Sequence, residues 1–95
     1  MSILWLAIAQ HDLDSLTDYI AEDNPKIALQ IFNTIRQSVE KLQKFPLLGR
    51  DGRIEHTREL IIPNLPYIVV YTIAKEIRIL AVLHTSRKWP NELSD

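Results

Sequence analysis

Residues 66–84 read PYIVVYTIAKEIRILAVLH, two apolar segments separated by a short polar turn near Lys75. Valine and isoleucine occur in both segments, and the first also contains Tyr67 and Tyr71; these are residue types favoured in β-strands. A connection this short indicates that the two strands pair antiparallel. We therefore predict a β-hairpin with strands at residues 66–74 and 76–84.

The hairpin has a predicted neighbour on its N-terminal side. Residues 57–63, TRELIIP, partly alternate between polar and apolar side chains, and Asn64-Leu65-Pro66 is a turn signal. These three strands form an antiparallel meander. A further apolar run, ILWLAI at residues 3–8, favours a strand because it combines a tryptophan with isoleucines.

Two helices are predicted between the first strand and the meander. Leu13, Leu16 and Ile20 recur at helical spacing, so residues 11–22 form an amphipathic helix. Asn24 and Pro25 suit the N-cap and first position of a second helix over residues 25–44. The element order is β-α-α-β-β-β. Three strands are too few to cover both helices, so we expect the strand at residues 3–8 to join the meander in one sheet. We expect one domain, residues 1–95, with an α+β two-layer fold: two antiparallel helices on one face of an antiparallel sheet.

Composition restricts the classes of function. The net charge is −1, which argues against strong non-specific binding of nucleic acid, but residues 44–90 carry eight cations against four carboxylates. That excess is compatible with an anionic partner for this half, but charge alone favours an ordinary mixed, solvated surface. Cysteine is absent, the three histidines lack the spacing of a metal site, and no apolar run is long enough to cross a bilayer. We expect a cytoplasmic protein without a metal or cofactor.

Four segments together carry a resemblance to a known family. They are KFPLLGR at 44–50, RELI at 58–61, PYIVVY at 66–71 and ILAVLH followed by Arg87 at 79–87. In this order, after a strand and two helices, they resemble the RelE/ParE toxin superfamily of bacterial type II toxin–antitoxin modules. The similarity is greatest to the RelE/StbE, or plasmid-stabilisation, branch.

The resemblance implies a growth-inhibiting protein that a cognate antitoxin binds, through a segment that folds on the toxin surface. Two activities occur in the superfamily. RelE-like members cleave messenger RNA on the ribosome, and ParE-like members poison DNA gyrase without hydrolytic chemistry. We expect mRNA cleavage, with gyrase poisoning as the alternative and an inactive antitoxin-binding module as a third.

The expected nuclease site uses a proton carrier and cations, because metal-free RNA cleavage needs a general base, a general acid and stabilisation of the phosphate charge. The expected catalytic residues are His84, Arg58 and Arg87. Glu55, His56 and Glu59 are weaker acid–base candidates. Strand alternation assigns one face to Arg58, Leu60 and Ile62, and one face to Arg78, Leu80, Val82 and His84. We expect these cations to converge on one site, where RNA phosphates are bound by Arg50, Arg53, Arg78 and Lys88.

One departure from the nuclease pattern keeps the alternatives open. RelE-type nucleases often carry an arginine in the middle strand, where this chain has Ile68. A histidine at the end of the last strand occurs in ParE-like members as well, so His84 does not discriminate between the two activities. A purely structural interpretation is also open, in which His84 packs at a strand end and the arginines form ordinary surface ion pairs.

Overall fold

The computed structural model describes residues 1–86, and the expected site residues Arg87 and Lys88 lie outside this range. The described elements follow the predicted order, with one addition, a two-residue strand in the loop after the second helix. In chain order they are β1 (Ile3–Trp5), α1 (Ala7–Ala21), α2 (Pro25–Glu40), a 3₁₀ turn (Lys41–Gln43), β2 (Arg50–Asp51), β3 (Arg58–Ile61), β4 (Tyr67–Ile73) and β5 (Ile77–His84).

The predicted meander is confirmed. β3 pairs antiparallel with β4, and β4 pairs antiparallel with β5 from Tyr67↔His84 to Ile73↔Ile77. The short β2 extends the sheet beyond β3, also antiparallel. The strand order is β1-β5-β4-β3-β2.

The N-terminal strand joins the sheet as predicted, but the sheet is mixed rather than antiparallel. β1 runs parallel to β5, with Ile3 opposite Ile77 and Trp5 opposite Ile79. Parallel neighbours need a long crossover connection, and here both helices and the three preceding strands lie between them. The α+β two-layer class is confirmed; the all-antiparallel sheet is wrong at this one edge.

The first helix begins four residues earlier than predicted. The run at 3–8 divides into β1 and the start of α1, whose N-cap position is Leu6. Ala9, Leu13 and Thr17 form its buried stripe at a spacing of four residues. The early start follows from alanine's high helix propensity and from the burial of Ala9 against the sheet.

The second helix has the predicted start. Asn24 Oδ1 accepts a hydrogen bond from the Ile27 N–H at 3.1 Å, and Pro25 occupies the first helical position. Ala28, Ile35 and Val39 are buried, and Leu42 in the following 3₁₀ turn is also buried.

Replacing Asn24 by alanine is expected to lower the free energy of unfolding by about 1 kcal/mol, because the first turn of α2 loses its side-chain cap. Urea denaturation of both proteins measures the difference. Asn33→Ala, a change within the same helix that removes no capping bond, serves as the control. Equal losses for the two variants would contradict a specific capping role.

The main core lies between the helices and one face of the sheet. Its fully buried members include Leu13, Ile35, Val69, Tyr71 and Ile79. A second, smaller buried cluster lies on the opposite face and consists of Ile68, Val70, Ala81 and Leu83. No helix within residues 1–86 is long and apolar enough to cross a membrane.

A β-bulge in β5 changes which side chains share a face. Val70 pairs with Ala81 but the next residue, Tyr71, pairs with Ile79, so Leu80 is the extra residue. The bulge interrupts the alternation that assigned Arg78, Leu80, Val82 and His84 to one face. Arg78 is therefore on the face opposite the helices, whereas Val82 belongs to the main core. The predicted common face of these four residues is wrong.

Candidate functional site

Arg58 is the first residue of β3 and lies on the helix-facing side of the sheet, opposite Tyr71. Its guanidinium group donates to the Gly49 carbonyl through Nε at 3.1 Å and again through Nη2. It also donates to the Leu47 carbonyl at 3.3 Å and to Asp51 Oδ1 at 2.8 Å. Four of the five guanidinium N–H groups are thus engaged within the protein, and the side chain is 22% exposed. Arg58 fastens the chain between α2 and β3.

Glu59, the next residue, points to the other face and is 2% exposed. Its Oε1 accepts two bonds from the Arg50 guanidinium, at 2.9 and 3.2 Å. Its Oε2 accepts from the Arg53 backbone N–H at 2.9 Å and from Arg53 Nε at 3.2 Å. Burial alone would raise the pKa of Glu59, but the Arg53 backbone N–H and the two guanidinium groups outweigh burial and hold the pKa below its usual value of 4.5.

The two arginines that hold Glu59 remain open to solvent. The side chains of Arg50 and Arg53 are 54% and 47% exposed. The trio carries one net positive charge, since two guanidinium groups face one carboxylate. Their predicted contact with RNA phosphate stays a prediction, and the structure gives both a second role in shaping the 49–57 region.

Tyr71 fastens the same loop from inside the core. This fully buried side chain accepts a hydrogen bond from the Gly49 N–H at 2.9 Å and donates one to the Pro46 carbonyl at 2.7 Å. Together with Arg58 and Glu59, it fixes residues 44–51, which we name the clamped loop. Neither Tyr71 nor Glu59 was expected to anchor a loop. The available signal was a tyrosine and a carboxylate within apolar strands, since both need partners when buried.

His84 ends β5 at the opposite end of the sheet. Its ring meets the Tyr67 ring edge to face, with centroids 5.5 Å apart. Nδ1 accepts from the Ser86 backbone N–H at 3.1 Å and lies 2.8 Å from Ser86 Oγ. Because Nδ1 accepts the backbone N–H, the neutral ring carries its proton on Nε2.

A cleft of about 440 Å³ lies beside His84, between α1 and the hairpin. Asp12, on its wall, accepts the Val82 backbone N–H at 3.1 Å and so ties α1 to β5. Burial raises the pKa of Tyr67 above its ordinary value of 10.0. The wall residues are Asp12, Ser15, Leu16, Tyr19, Ile20, Tyr67, Val82 and His84.

The structure does not bring His84 and Arg58 together. Their partners on β4, Tyr67 and Tyr71, are four residues apart, which is about 13 Å along the strand. Arg58 is on β3 and His84 is on β5, the two strands that flank β4. Two strand spacings, roughly 9–10 Å, therefore also separate them across the sheet. The expected convergence of the cations and the imidazole on one site is therefore wrong for the described residues.

Arg78 lies on the other face of the sheet from Arg58 and His84. It faces away from the helices, opposite Thr72 and Leu4, and its Nε lies 3.5 Å from Glu76 Oε1. Its expected contact with RNA remains a prediction. His56 and Glu55 are highly exposed at a turn, and His56 Nε2 lies 3.7 Å from Glu55 Oε1.

A sequence model of the family described as "ParE toxin of type II toxin-antitoxin system, parDE" matches residues 3–89. This chain belongs to the ParE toxin family. The match spans every helix and strand of the fold, including the clamped loop and His84. The chain is accordingly a type II toxin of the RelE/ParE superfamily, as its sequence segments indicated.

Two relatives agree with ParE membership. The chain is 38% identical over 91 residues to a Sinorhizobium fredii protein named "Putative toxin Y4kP", covering 96% of this chain and 95% of that one. Its fold also matches a chain from a structure titled "Chromosomal ParDE TA system from P. aeruginosa". The TM-score is 0.84 and the identity 28%, over 90% of this chain and 97% of the other.

Proposed function

We propose that this ParE-family toxin inhibits growth in the bacterial cytoplasm by binding DNA gyrase, without hydrolytic chemistry, and that a cognate antitoxin neutralises it. The observation that carries the proposal is the separation of His84 from Arg58. A nuclease site needs its proton carrier and phosphate-binding cation within reach of one phosphodiester. Family membership supports the same choice, because ParE-like members of the superfamily poison gyrase.

The state of Arg58 supports the proposal independently. Arginine binds phosphate best when its N–H groups are free to present a planar fork. Here that fork is engaged by the carbonyls of Leu47 and Gly49 and by Asp51. Recruiting Arg58 to RNA would release these three loop groups, so its contribution is to the shape of the protein.

Cleavage of mRNA is the second candidate, and one observation favours it. His84 is exposed beside the cleft, and its Nε2 has no hydrogen-bond partner within residues 1–86. A nuclease reaction needs a proton-carrying group open to the substrate, and the position of Nε2 fits that role. This candidate requires a phosphate-binding group other than Arg58 close to His84.

The deciding experiment is induction of the chain alone in bacterial cells, with labelled thymidine and methionine uptake followed over minutes. We expect thymidine uptake to fall first, and the purified chain to inhibit supercoiling by purified gyrase. An earlier fall in methionine uptake, with cleaved mRNA, would overturn the proposal in favour of the nuclease. If neither uptake changes, the chain is an inactive antitoxin-binding module.

Replacing His84 by alanine is expected to leave growth inhibition within about twofold of the unmodified chain, because this exposed ring bonds only to Ser86 within the described residues. The measurement is the induction level that halves the growth rate, at matched protein abundance. His11→Ala is the matched control, since His11 is also exposed and also contacts a single serine, Ser15. Loss of inhibition in His84→Ala alone, with antitoxin binding intact, would favour the ribonuclease.

A further inference from the structure

The clamped loop presents large apolar side chains to solvent. Phe45, Leu47 and Leu48 are 61%, 69% and 51% exposed, and Ile61 on the adjacent strand β3 is 49% exposed. We name these four residues the loop patch. Single exposed apolar residues are ordinary, but several grouped on one surface mark an interaction site.

The loop patch is held in a fixed shape. Arg58 bonds the carbonyls of Leu47 and Gly49, and Tyr71 bonds the carbonyl of Pro46 and the N–H of Gly49. A loop with its backbone groups satisfied from within loses little conformational entropy when a partner binds. Buried polar groups therefore hold the loop in a conformation that exposes apolar side chains to water, although this exposure does not stabilise the free protein.

A groove of about 340 Å³ runs beside the loop patch, between the end of α2 and β3. Leu48 and Ile61 belong to both the groove and the patch, so the apolar surface is continuous. Leu60 and Pro63 add apolar lining, and Ser38 adds a hydroxyl. A side chain of leucine size inserted here would be removed from water on several sides.

The charged groups around the groove favour a carboxylate in the partner. Lys41 lines the groove and makes no ion pair within residues 1–86, and Arg50 is half exposed. The acid that lines it, Glu59, is already neutralised by Arg50 and Arg53. The net field at this rim is therefore positive, in line with the cationic excess of residues 44–90.

The adjoining strand edge offers a backbone contact. Ile62 N–H donates to the Tyr67 carbonyl, so the backbone groups of Ile61 point away from β4. Within residues 1–86, β2 pairs with Arg58 and Glu59 only, so Ile61 has no strand neighbour on the side that faces the groove. Pro63 has no N–H to donate, so an extended segment gains backbone pairing at Ile61 alone and must depend on its side chains.

We propose that the loop patch and the groove beside it dock a segment of the cognate antitoxin whose apolar side chains fill the groove and whose carboxylates meet Lys41 and Arg50. The inference rests on the part of the proposed function that gives the toxin an antitoxin, and is independent of the gyrase target. In this arrangement Arg58 and Tyr71 are positioning residues for a protein interface.

The test measures binding of purified full-length antitoxin, from the same module, to the full toxin chain by titration calorimetry. Leu48→Glu places a carboxylate in the groove and is expected to weaken binding about tenfold or more. Leu29→Glu is the matched control, since Leu29 is 60% exposed on α2, and its affinity should stay within about twofold. Leu47→Ser and Lys41→Glu provide two further variants should Leu48→Glu fold poorly; Lys41→Glu should also reduce the salt dependence of binding.

Three results would overturn the inference. The first is unchanged antitoxin affinity in folded Leu48→Glu, Leu47→Ser and Lys41→Glu. The second is a dimeric free toxin that Leu48→Glu makes monomeric without changing antitoxin affinity, which would assign the patch to a second copy of the chain. The third is lost gyrase inhibition with antitoxin affinity retained. If the unmodified chain does not inhibit gyrase but Leu48→Glu still loses the antitoxin, the proposed target fails and the docking site stands.

Discussion

Replacing Glu59 by alanine is expected to lower the free energy of unfolding by about 2–3 kcal/mol. The substitution leaves the Arg53 backbone N–H without its acceptor and removes the shared partner of two guanidinium groups. The loss stays below that of a fully buried ion pair, because both arginines are about half exposed and regain water. Urea denaturation at pH 7 measures it.

The same pair predicts how stability depends on pH. The pKa of Glu59 is lower in the folded protein than its usual value of 4.5, so its stabilisation is fully present above about pH 4.5 and is lost as the pH falls through the lower folded pKa. The stability difference between the unmodified chain and Glu59→Gln should be constant from pH 7 to about pH 5 and shrink on further acidification.

The exposed pair of Glu76 and Arg78 provides the control. Arg78 Nε lies 3.5 Å from Glu76 Oε1, and the Arg78 side chain is 51% exposed. Glu76→Ala should therefore lower the free energy of unfolding by less than about 0.5 kcal/mol. Equal losses for Glu59→Ala and Glu76→Ala would show that Glu59 does not anchor the loop. A difference between the unmodified chain and Glu59→Gln that grows below pH 4.5 would contradict the direction of the pKa shift.

Replacing Gly49 by alanine is expected to lower the free energy of unfolding by about 3 kcal/mol. A Cβ on Gly49 would lie 2.7 Å from the Tyr71 ring and hydroxyl and 2.8 Å from the Glu59 carbonyl oxygen. These neighbours are a buried ring and a strand backbone, so the loop must move and break the Gly49–Tyr71 bond. Thermal and urea unfolding of the variant measure the loss.

Tyr71→Phe tests the same bond from its other end. It removes the acceptor of Gly49 N–H and the donor to Pro46, and should cost about 2 kcal/mol. The double variant Gly49→Ala/Tyr71→Phe should lose less stability than the sum of the two single losses, because both substitutions break the same Gly49–Tyr71 hydrogen bond. Tyr19→Phe, at a tyrosine that is 76% exposed, should change stability by less than about 0.5 kcal/mol. Additive losses would mean that the loop is not held as a unit.

The order of elements could be predicted because each depends on nearby residues. The spacing of apolar residues in α2, its Asn24-Pro25 start and the β-branched content of β4 and β5 are local signals. The direction of β1 was beyond the same reasoning. Three residues can pair with either polarity, and the geometry of the whole chain selects one.

The wrong assignment of Arg78, Leu80, Val82 and His84 to one face has a definite physical origin. The bulge at Leu80 adds one residue to β5 opposite Val70 and Tyr71, which moves every later side chain to the other face. The sequence around Leu80 contains no glycine or proline to signal it. Alternation counted along the strand therefore grouped His84 with Arg78.

The role of Arg58 could not be read from its position either. Its partners are carbonyls of Leu47 and Gly49, in a loop whose path is set by tertiary contacts with Tyr71 and Glu59. An arginine at the start of a strand is equally compatible with phosphate binding and with holding a loop. Only the loop's path distinguishes the two, and that path has no local sequence signature.

The pairing of β1 with β5 also determines when the sheet can form during synthesis of the chain. The first strand leaves the ribosome early, but its neighbour is residues 77–84, near the end of the described chain. A nascent chain that stops before Ile77 contains both helices and the strands β3 and β4. It still lacks β5, the strand that lies between β1 and β4 in the sheet. Such long-range pairing slows folding and defers it to the last stage of translation. A product truncated before Ile77 therefore keeps the anchors of the clamped loop, Arg58, Glu59 and Tyr71, but lacks the strand that joins β1 to β4.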